Sequence, residues 1–300
     1  MKAMNATALL LLSLAQDGTK PAQPRVSTLE LDLELVTYGR LGGLAVDEEG
    51  TLFVSNFGPN VWSITPEGKV TEIAGDFVQA SGNTIGPDGT LLQADFQRKA
   101  IYAIDPVSKE SSPIVTDGLE SPVGLVADED WNLYVCDCNA NAVLRVSPEG
   151  TVTTLASGAL FACPNGITRD AEGNLFVVNF ANDLLVKIDP QGQATSLLSV
   201  GTGGGNAHLA LAGRELFVTK IKTNELFAVD LDEGAKPSAR LVAGSGKAEI
   251  VDGDGIEASL KRPNGLAVDP TGKILYMNNI VGTWRDKTAT KLSIRRIELP

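Results

Sequence analysis

The chain has 300 residues, of which 43% are hydrophobic, and its formal net charge at pH 7 is −12. A chain of this length and apolar content can bury a large core. The acidic balance argues against nucleic acid and against insertion into anionic membranes, although a solvated acidic surface explains the charge equally well.

The first fifteen residues have the features of a secretory signal peptide. Lys2 gives a short basic start, an apolar run follows, and Ser13 and Ala15 form a small-residue cleavage site. The run is too short to span a bilayer as a helix. We therefore predict a signal peptide over residues 1–15, a linker over 16–28 and a secreted or periplasmic protein. A buried or frayed N-terminal helix is the alternative, and without cleavage the protein is expected in the cytoplasm.

The remaining chain repeats one pattern, in which two short apolar runs flank a polar turn and two further strands follow, as in residues 164–199. The turns of the six copies are marked by Gly50, Gly89, Trp131, Gly173, Arg214 and Gly272. A period of about 40 residues with four short strands is typical of a β-propeller blade, and such blades bury their faces only by stacking in a ring. We predict an all-β fold, a single six-bladed propeller over residues 29–300.

The last copy reaches the end of the chain without a fourth strand. Residues 29–35 precede the first copy and alternate apolar with acidic side chains, which is typical of a half-buried strand. We predict that this segment pairs with the last blade as its outer strand. That pairing would close the ring and remove two unpaired edges.

Three cysteines lie near the junction of the third and fourth blades. Cys136 and Cys138 end the second strand of blade three, and Cys163 precedes the first strand of blade four. Propeller geometry brings these two places together on one face. A Cys138–Cys163 disulfide with Cys136 as the odd thiol is therefore a hypothesis, and three reduced cysteines are the alternative.

Polar residues recur where strand one of each blade begins and where strand two ends, and both places lie on the same face of a propeller. As metal ligands at the first place we select Asn165, Asn206 and Asn264, with Asn83 nearby. At the second place stand Asn56, Asp95, Asp137, Asn179, Lys220 and Asn278. Oxygen ligands that converge on one axis suit a hard cation such as calcium, whereas capping of turns is the structural alternative.

An apolar column follows the second set, with Phe57, Phe96 and Phe180 in one register. Apolar walls around a polar floor are typical of a small-molecule pocket. We therefore predict that these phenylalanines bind a small-molecule substrate together with three amides of the second set, Asn56, Asn179 and Asn278. Packing between neighbouring blades is the alternative.

His208 is the only histidine and lies in the first strand of blade five, close to the axis. We select it as a candidate general base, with Asp95 and Asp137 as further candidates to move a proton. A hydrogen-bonded structural histidine is the alternative. A single histidine excludes mechanisms that need a histidine pair or a histidine cage around a metal.

The repeats resemble two related six-bladed families over residues 29–299. The pattern Gly-Leu-Ala-Val-Asp followed by Leu-Phe-Val resembles the NHL repeat, and the start Pro164-Asn165-Gly166-Ile167 resembles the regucalcin–gluconolactonase family. The second resemblance implies lactonase or phosphotriester-type hydrolysis with one divalent metal, calcium or zinc, held by one Glu, two Asn and one Asp.

The family's ligand set is only partly present. Asn165 matches one metal-binding Asn, and Asn206 falls where the Asp is expected. Val123 falls where the other Asn is expected, and Gly42 or Leu41 where the Glu is expected.

We therefore expect a monomeric, secreted, gluconolactonase-like hydrolase that acts on a lactone or ester at the mouth of the channel and is assisted by a metal. Asn83 and Asn264 are the expected replacements for the missing ligands. The alternative is a non-catalytic NHL-type propeller that binds a protein or small molecule, which the incomplete ligand set favours. A metal-independent lyase or cyclase is a third possibility.

Overall fold

The computed structural model describes residues 22–37, 40–232, 234, 236–280 and 290–300. Within these residues the regular structure consists of strands β1 to β26 and one 3₁₀ helix at Gly255–Glu257. The described part of the chain contains no helix with the length and apolar character needed to cross a membrane. The predicted signal peptide over residues 1–15 lies outside the described residues.

Each of the first five blades is a four-stranded antiparallel sheet whose strands follow chain order. Blade one consists of β3 (Leu44–Val46), β4 (Leu52–Ser55), β5 (Val61–Ile64) and β6 (Val70–Ala74). Blade two consists of β7 (Ala80–Ile85), β8 (Leu91–Asp95), β9 (Ala100–Ile104) and β10 (Ser111–Val115). Blade three consists of β11 (Pro122–Ala127), β12 (Leu133–Asp137), β13 (Ala142–Val146) and β14 (Val152–Ser157). Blade four consists of β15 (Pro164–Arg169), β16 (Leu175–Asn179), β17 (Leu184–Ile188) and β18 (Ala194–Ser199). Blade five consists of β19 (Asn206–Ala212), β20 (Glu215–Lys220), β21 (Glu225–Asp230) and β22 (Ala239–Ala243).

The sixth blade combines both ends of the described chain. From the C-terminal end come β24 (Pro263–Val268), β25 (Ile274–Ile280) and β26 (Thr290–Glu298), and from the N-terminal end β1 (Arg25–Thr28) and β2 (Leu35–Thr37). Both N-terminal strands pair antiparallel with β26, and the short β23 (Gly253–Asp254) pairs with the free side of β1.

The N-terminal pairing differs from the predicted single strand over residues 29–35. The first strand begins at Arg25, inside the predicted linker, and the segment between β1 and β2 leaves the sheet. There the Asp32 carboxylate accepts a 2.7 Å hydrogen bond from the backbone N–H of Val70, and the Asp32 N–H donates to the carbonyl of Gly68. Asp32 therefore fastens this segment to blade one, whereas Glu34 forms an ion pair with Lys291 of the last blade.

The six sheets stand in a ring around one axis. The first strands of the blades lie side by side in the order β3, β7, β11, β15, β19 and β24, and β24 lies next to β3. Apolar faces of adjacent blades pack together, for example Leu92 and Ile101 of blade two against Leu125 and Val135 of blade three. The predicted all-β, six-bladed propeller is confirmed.

A disulfide joins blades three and four on the face where strand two of each blade ends. Cys138 and Cys163 form this bond, and Cys136 is a free, buried thiol, as hypothesised from the sequence. Burial raises the pKa of the Cys136 thiol well above its usual value, so the thiol stays protonated and unreactive at neutral pH.

Candidate functional site

A two-residue bulge at the start of each first strand shapes the channel. In blade three, Pro122 pairs with Asp137 and Leu125 with Val135, so that Val123 and Gly124 together oppose Cys136. The other blades repeat this pattern. The second bulge residue is a glycine in five blades, namely Gly43, Gly82, Gly124, Gly166 and Gly265. In blade five it is His208.

Glycine is required there because neighbouring bulges touch around the axis. A Cβ at Gly82 would lie 2.0 Å from the carbonyl oxygen of Val123, and a Cβ at Gly166 would lie 2.7 Å from the Cα of His208. Neither distance is possible without backbone movement. Among the second bulge residues of the six blades, His208 is therefore the one that carries a side chain.

Above the ring of bulges lies a cavity of about 210 Å³, which we call the mouth pocket. Its floor is polar and its walls are mainly apolar. The lining residues are Arg40, Leu41, Gly42, Phe57, Ser81, Gly82, Phe96, Val123, Cys138, Cys163, Asn165, Phe180, His208, Ile221 and Asn264. Phe57, Phe96 and Phe180 line it as predicted, and the rings of Phe57 and Phe96 are 5.5 Å apart.

Two of the four predicted metal ligands, Asn165 and Asn264, lie in the floor of the mouth pocket. Each uses its amide nitrogen to link its blade to the next. Asn165 Nδ2 donates to the carbonyl of Ala207 at 2.6 Å, and Asn264 Nδ2 donates to that of Gly42 at 2.9 Å. Within the described part of the chain their Oδ1 atoms have no hydrogen-bond donor, so both oxygens can accept from a ligand in the pocket.

The other two predicted metal ligands lie elsewhere. Asn206 pairs with Lys220 one residue before the bulge, so that Ala207 occupies the place of Asn165 in blade five. Its Oδ1 accepts a 3.1 Å hydrogen bond from the Lys220 ammonium. Asn83 follows the bulge glycine and lines a second cavity on the opposite side of the ring. The turn of blade five is one residue shorter than that of blade four, since Leu211 pairs with Leu216 and Arg169 with Leu175, and this moves the first strand of blade five by one residue.

The side chains at the ends of the second strands hold loops and do not line the mouth pocket. The buried Asp137 carboxylate accepts from the backbone N–H groups of Glu120 and Ser121 at 2.7 and 2.9 Å. Asp95 accepts in the same way from Val78 and Gln79 at 2.9 and 3.1 Å. This placement argues against the catalytic roles predicted for Asp95 and Asp137 and supports the capping alternative.

The predicted substrate-binding amides are likewise engaged in the fold. Asn56 Oδ1 accepts from the N–H of Gly58 at 2.9 Å, and Asn179 Oδ1 accepts from that of Ala162 at 3.1 Å. Asn278 is buried and joins blades six and one, donating to the carbonyl of Gly42 at 3.1 Å. None of these three lines the mouth pocket, and their placement favours a structural role.

In blade six, the side chain at the end of the second strand that holds the preceding loop belongs to Asn279 and not to Asn278. Asn279 pairs with Pro263 as Asn179 pairs with Pro164. Its Nδ2 donates to the carbonyl of Lys261 at 2.8 Å. The one-residue error comes from the turn of blade six, which is one residue longer than that of blade four, since Val268 pairs with Leu275 and Arg169 with Leu175.

His208 lies between the mouth pocket and the second cavity, which has a volume of about 320 Å³. Its imidazole is partly accessible from the channel and has no hydrogen-bond or ion-pair partner among the described residues. Burial lowers the pKa of His208 from 6.5 to about 4, so the ring is neutral at pH 7. A neutral ring offers one nitrogen as a donor and one as an acceptor.

Two cationic side chains that sequence reasoning missed stand at the mouth. Arg40 lies 5.4 Å from the centroid of the Phe57 ring, and Lys222 lies 5.3 Å from that of Phe180. Arg40 directly precedes Leu41, and Lys222 directly follows Ile221, and both of these neighbours line the mouth pocket. This adjacency is the sequence signal that could have identified the two cations.

The floor of the mouth pocket fits a divalent cation poorly. Its donors in the described chain are two amide oxygens and one imidazole, whereas calcium and zinc sites usually include negatively charged ligands. The described residues also contain no group of three or more His, Cys, Asp or Glu that could hold a metal. The calcium or zinc expected from the sequence therefore stays a prediction for experiment.

Comparisons with known proteins show the same fold. No protein-family model matches the chain. A curated gluconolactonase from Zymomonas mobilis is 28% identical over an aligned stretch of 117 residues, which covers 32% of this chain and 33% of that protein. The match thus spans about a third of the length of this curated relative.

Two solved structures are similar over most of the chain. A gluconolactonase from Xanthomonas campestris has a TM-score of 0.65 at 16% identity, over 93% of this chain and 95% of that one. An auxiliary nutrient binding protein from Bacteroides ovatus has a TM-score of 0.69 at 13% identity, over 92% of this chain and 76% of that one. At these identities the likeness shows the fold, which is that of gluconolactonase-like propellers, and the function has to be argued from the site.

Proposed function

We propose that this protein is a gluconolactonase-like hydrolase that opens a lactone or ester of a small, largely apolar molecule in the mouth pocket. The observation that carries the proposal is the pocket itself, in which three phenylalanines surround an uncharged polar floor of Asn165, His208 and Asn264. The sequence similarity to a gluconolactonase supports the choice of reaction.

The residues of the pocket have distinct roles in this reaction. The phenylalanine walls hold the apolar part of the substrate and exclude bulk water. His208 accepts a proton from the water that attacks the carbonyl carbon. As the bond to the leaving oxygen breaks, His208 returns this proton to the leaving alkoxide. The Oδ1 atoms of Asn165 and Asn264 orient the attacking water or a substrate hydroxyl by accepting hydrogen bonds.

A panel of aryl esters and five- and six-membered lactones tests the proposal. We expect measurable hydrolysis by the wild type and a loss of about 100-fold or more in His208→Asn, which is the usual scale of general-base catalysis. Because the pKa of His208 is lowered to about 4, the rate should stay level from pH 8 to about pH 5 and fall near pH 4. No hydrolysis by the wild type, or an equally fast His208→Asn variant, would contradict the proposal.

We further propose that no resident divalent metal is needed. Rates and melting temperature should be unchanged by excess calcium, zinc or a chelator, because the described floor has no carboxylate to hold such an ion. A stoichiometric metal whose removal abolishes hydrolysis would restore the metal-assisted reading of the sequence.

Export remains part of the proposal. The disulfide between Cys138 and Cys163 supports it, since structural disulfides persist mainly in oxidising compartments. N-terminal sequencing of the protein isolated from its natural compartment should show cleavage after Ala15. An intact N-terminus would contradict export by this signal.

A binding protein without catalysis is the second candidate. It is favoured by one observation, namely that His208 has no carboxylate among the described residues to orient it or raise its basicity. The similarity to an auxiliary nutrient binding protein supports it at the level of fold. Saturable binding of a small apolar ligand without turnover of the ester panel would select this candidate.

A further inference from the structure

Among the described residues, basic side chains stand beside the mouth pocket, although the whole chain carries a formal charge of −12. This contrast appears when the residues nearest the mouth are compared blade by blade. Two positions frame the opening in each blade. One directly precedes the residue before the bulge, which is Leu41 in blade one, and the other lies two residues after the loop-holding side chain of the second strand, which is Asn56 in blade one.

The first framing position is occupied by Arg40, Gln79, Ser121, Cys163, Gly205 and Arg262. The second is occupied, in the blades where it is described, by Gly58, Gln97, Asn139, Ala181 and Lys222. The described framing residues thus contain three cations and no carboxylate. All three cations belong to blades five, six and one, which are neighbours in the ring.

Two of the cations lie against aromatic walls of the pocket. The Arg40 guanidinium lies over the ring of Phe57 and the Lys222 ammonium over that of Phe180, at 5.4 and 5.3 Å from the ring centroids. Both phenylalanines line the mouth pocket. A cation held over an aromatic face keeps its charge at the edge of the apolar wall.

The floor presents the complementary chemistry. Asn165 and Asn264 offer acceptor oxygens, and His208 is neutral at pH 7 because burial lowers its pKa to about 4. A bound molecule therefore meets hydrogen-bond acceptors and a neutral imidazole at the bottom, apolar rings along its length, and positive charge at the top.

We propose that the mouth pocket selects an amphipathic anion, a small apolar molecule whose outer end carries a carboxylate. Arg40 and Lys222 determine this specificity. For the reaction, the inference rests on the proposed function: the substrate is then a lactone or ester with a second, unreacting carboxylate at the rim. The binding preference itself does not depend on hydrolysis.

The test compares binding of hydrocinnamate with that of hydrocinnamide, which has the same shape without the charge, by isothermal titration calorimetry at pH 7. We expect the anion to bind at least about fivefold more tightly at low salt, as two or three partly exposed charge pairs would give. The preference should shrink as salt is raised to about 0.5 M, because exposed charges are screened.

Variants that remove one positive charge show which residues produce the preference for the anion. Lys222→Gln and Arg40→Gln should each reduce affinity for the anion by about threefold and leave affinity for the amide unchanged. Lys187→Gln is the matched control, since Lys187 lies 5.9 Å from the centroid of the Phe176 ring, and neither of these two residues lines the mouth pocket. This control should leave both affinities unchanged.

Equal binding of acid and amide, failure of either to bind, or an equal effect of Lys187→Gln would overturn the inference. Its failure is distinguishable from failure of the proposed function. If the protein prefers the anion but hydrolyses no ester, the proposed hydrolase function is wrong and the inferred anion site stands. If the protein hydrolyses esters without preferring one that bears a carboxylate, the hydrolase function stands and the inferred anion site is wrong.

Discussion

His208 shows how one side chain acquires unusual properties from its place in a repeat. The same bulge position is glycine in the other five blades, where a Cβ would collide with the neighbouring blade. Blade five alone puts an imidazole into this narrow level of the channel. The ring is therefore largely surrounded by protein, with only part of it accessible from the channel, and its protonated form is disfavoured.

The enclosed histidine should make stability depend on pH. Its folded pKa is about 4 and its unfolded pKa about 6.5, so the unfolded state takes up a proton first as pH falls from 7 to 5. We expect the free energy of unfolding to fall by up to about 2 kcal/mol more in the wild type than in His208→Gln over this interval. Urea unfolding at both pH values measures this. Equal losses in the two proteins would show that the ring is not enclosed.

Asp137 illustrates the opposite outcome, a carboxylate in the expected ring whose role is structural. Its two oxygens satisfy backbone N–H groups of the loop that enters blade three. In blade four, Asn179 occupies the equivalent position and holds the corresponding loop through Ala162 and Leu160. Asn179 accepts from one N–H and donates to one carbonyl, whereas both oxygens of Asp137 accept, so the two loops differ in the groups they present.

Substitutions at Asp137 should show whether this carboxylate contributes to stability or to catalysis. Asp137→Ala leaves buried N–H groups unpaired and should cost about 2 kcal/mol of stability or more. Asp137→Asn keeps one acceptor but turns its Nδ2 toward the other N–H, and should cost about 1 kcal/mol. Turnover per folded molecule should be unchanged in both, as judged by denaturant unfolding and ester hydrolysis. A stable Asp137→Asn protein without activity would return Asp137 to the catalytic site.

At the scale of elements, the bulge glycines decide how closely the blades approach the axis. Gly82 packs against the carbonyl of Val123, and Gly124 against that of Asn165, so that each blade rests on the next. The narrow ring that results forms the floor on which the mouth pocket is built.

Alanine at a bulge glycine should open this ring. Gly82→Ala places a Cβ 2.0 Å from a backbone oxygen, and we expect it to cost about 3 kcal/mol or more. The control is Gly213→Ala, which has nothing within 4 Å but a φ of +59°, and which should cost about 1 kcal/mol. Thermal unfolding of the two variants compares them. Similar losses would mean that the ring relaxes without penalty.

For the whole molecule, the N-terminal strands cover the edge of the last blade. Residues of β1 pair with β26 on one side and β23 on the other, and Val26 is buried in the core between blades five and six. Thr28 also bonds the Asp252 carboxylate, which pairs with the buried Arg295. The two ends of the chain are thereby held in one sheet.

A charge inside this sheet should weaken the entire fold. Val26→Asp buries an unpaired carboxylate at a position that is 1% exposed, and we expect a loss of about 3 kcal/mol or more. Ser27→Asp, on the opposite face of β1, should cost less than about 1 kcal/mol. Urea unfolding measures both. A stable Val26→Asp protein would show that β1 is dispensable.

The sequence by itself determined the class of fold, the number of blades and the apolar wall of the pocket. Repeated turns and alternating side chains are local signals, and a period of about 40 residues has few structural solutions. It also indicated the disulfide between Cys138 and Cys163, because the strand ends that carry them must meet on one face.

Only the tertiary structure decided which polar residues reach the pocket. The turn between the first two strands differs in length, since Arg169 pairs with Leu175 in blade four, Leu211 with Leu216 in blade five and Val268 with Leu275 in blade six. Ala207 and not Asn206 is therefore the equivalent of Asn165, and Asn279 and not Asn278 holds the last loop. A one-residue shift sends a side chain to the other face of its strand, and aligning the repeats on one turn residue does not show such a difference in turn length. Contacts between blades, which are distant in sequence, fix the bulges and with them the chemistry of the floor.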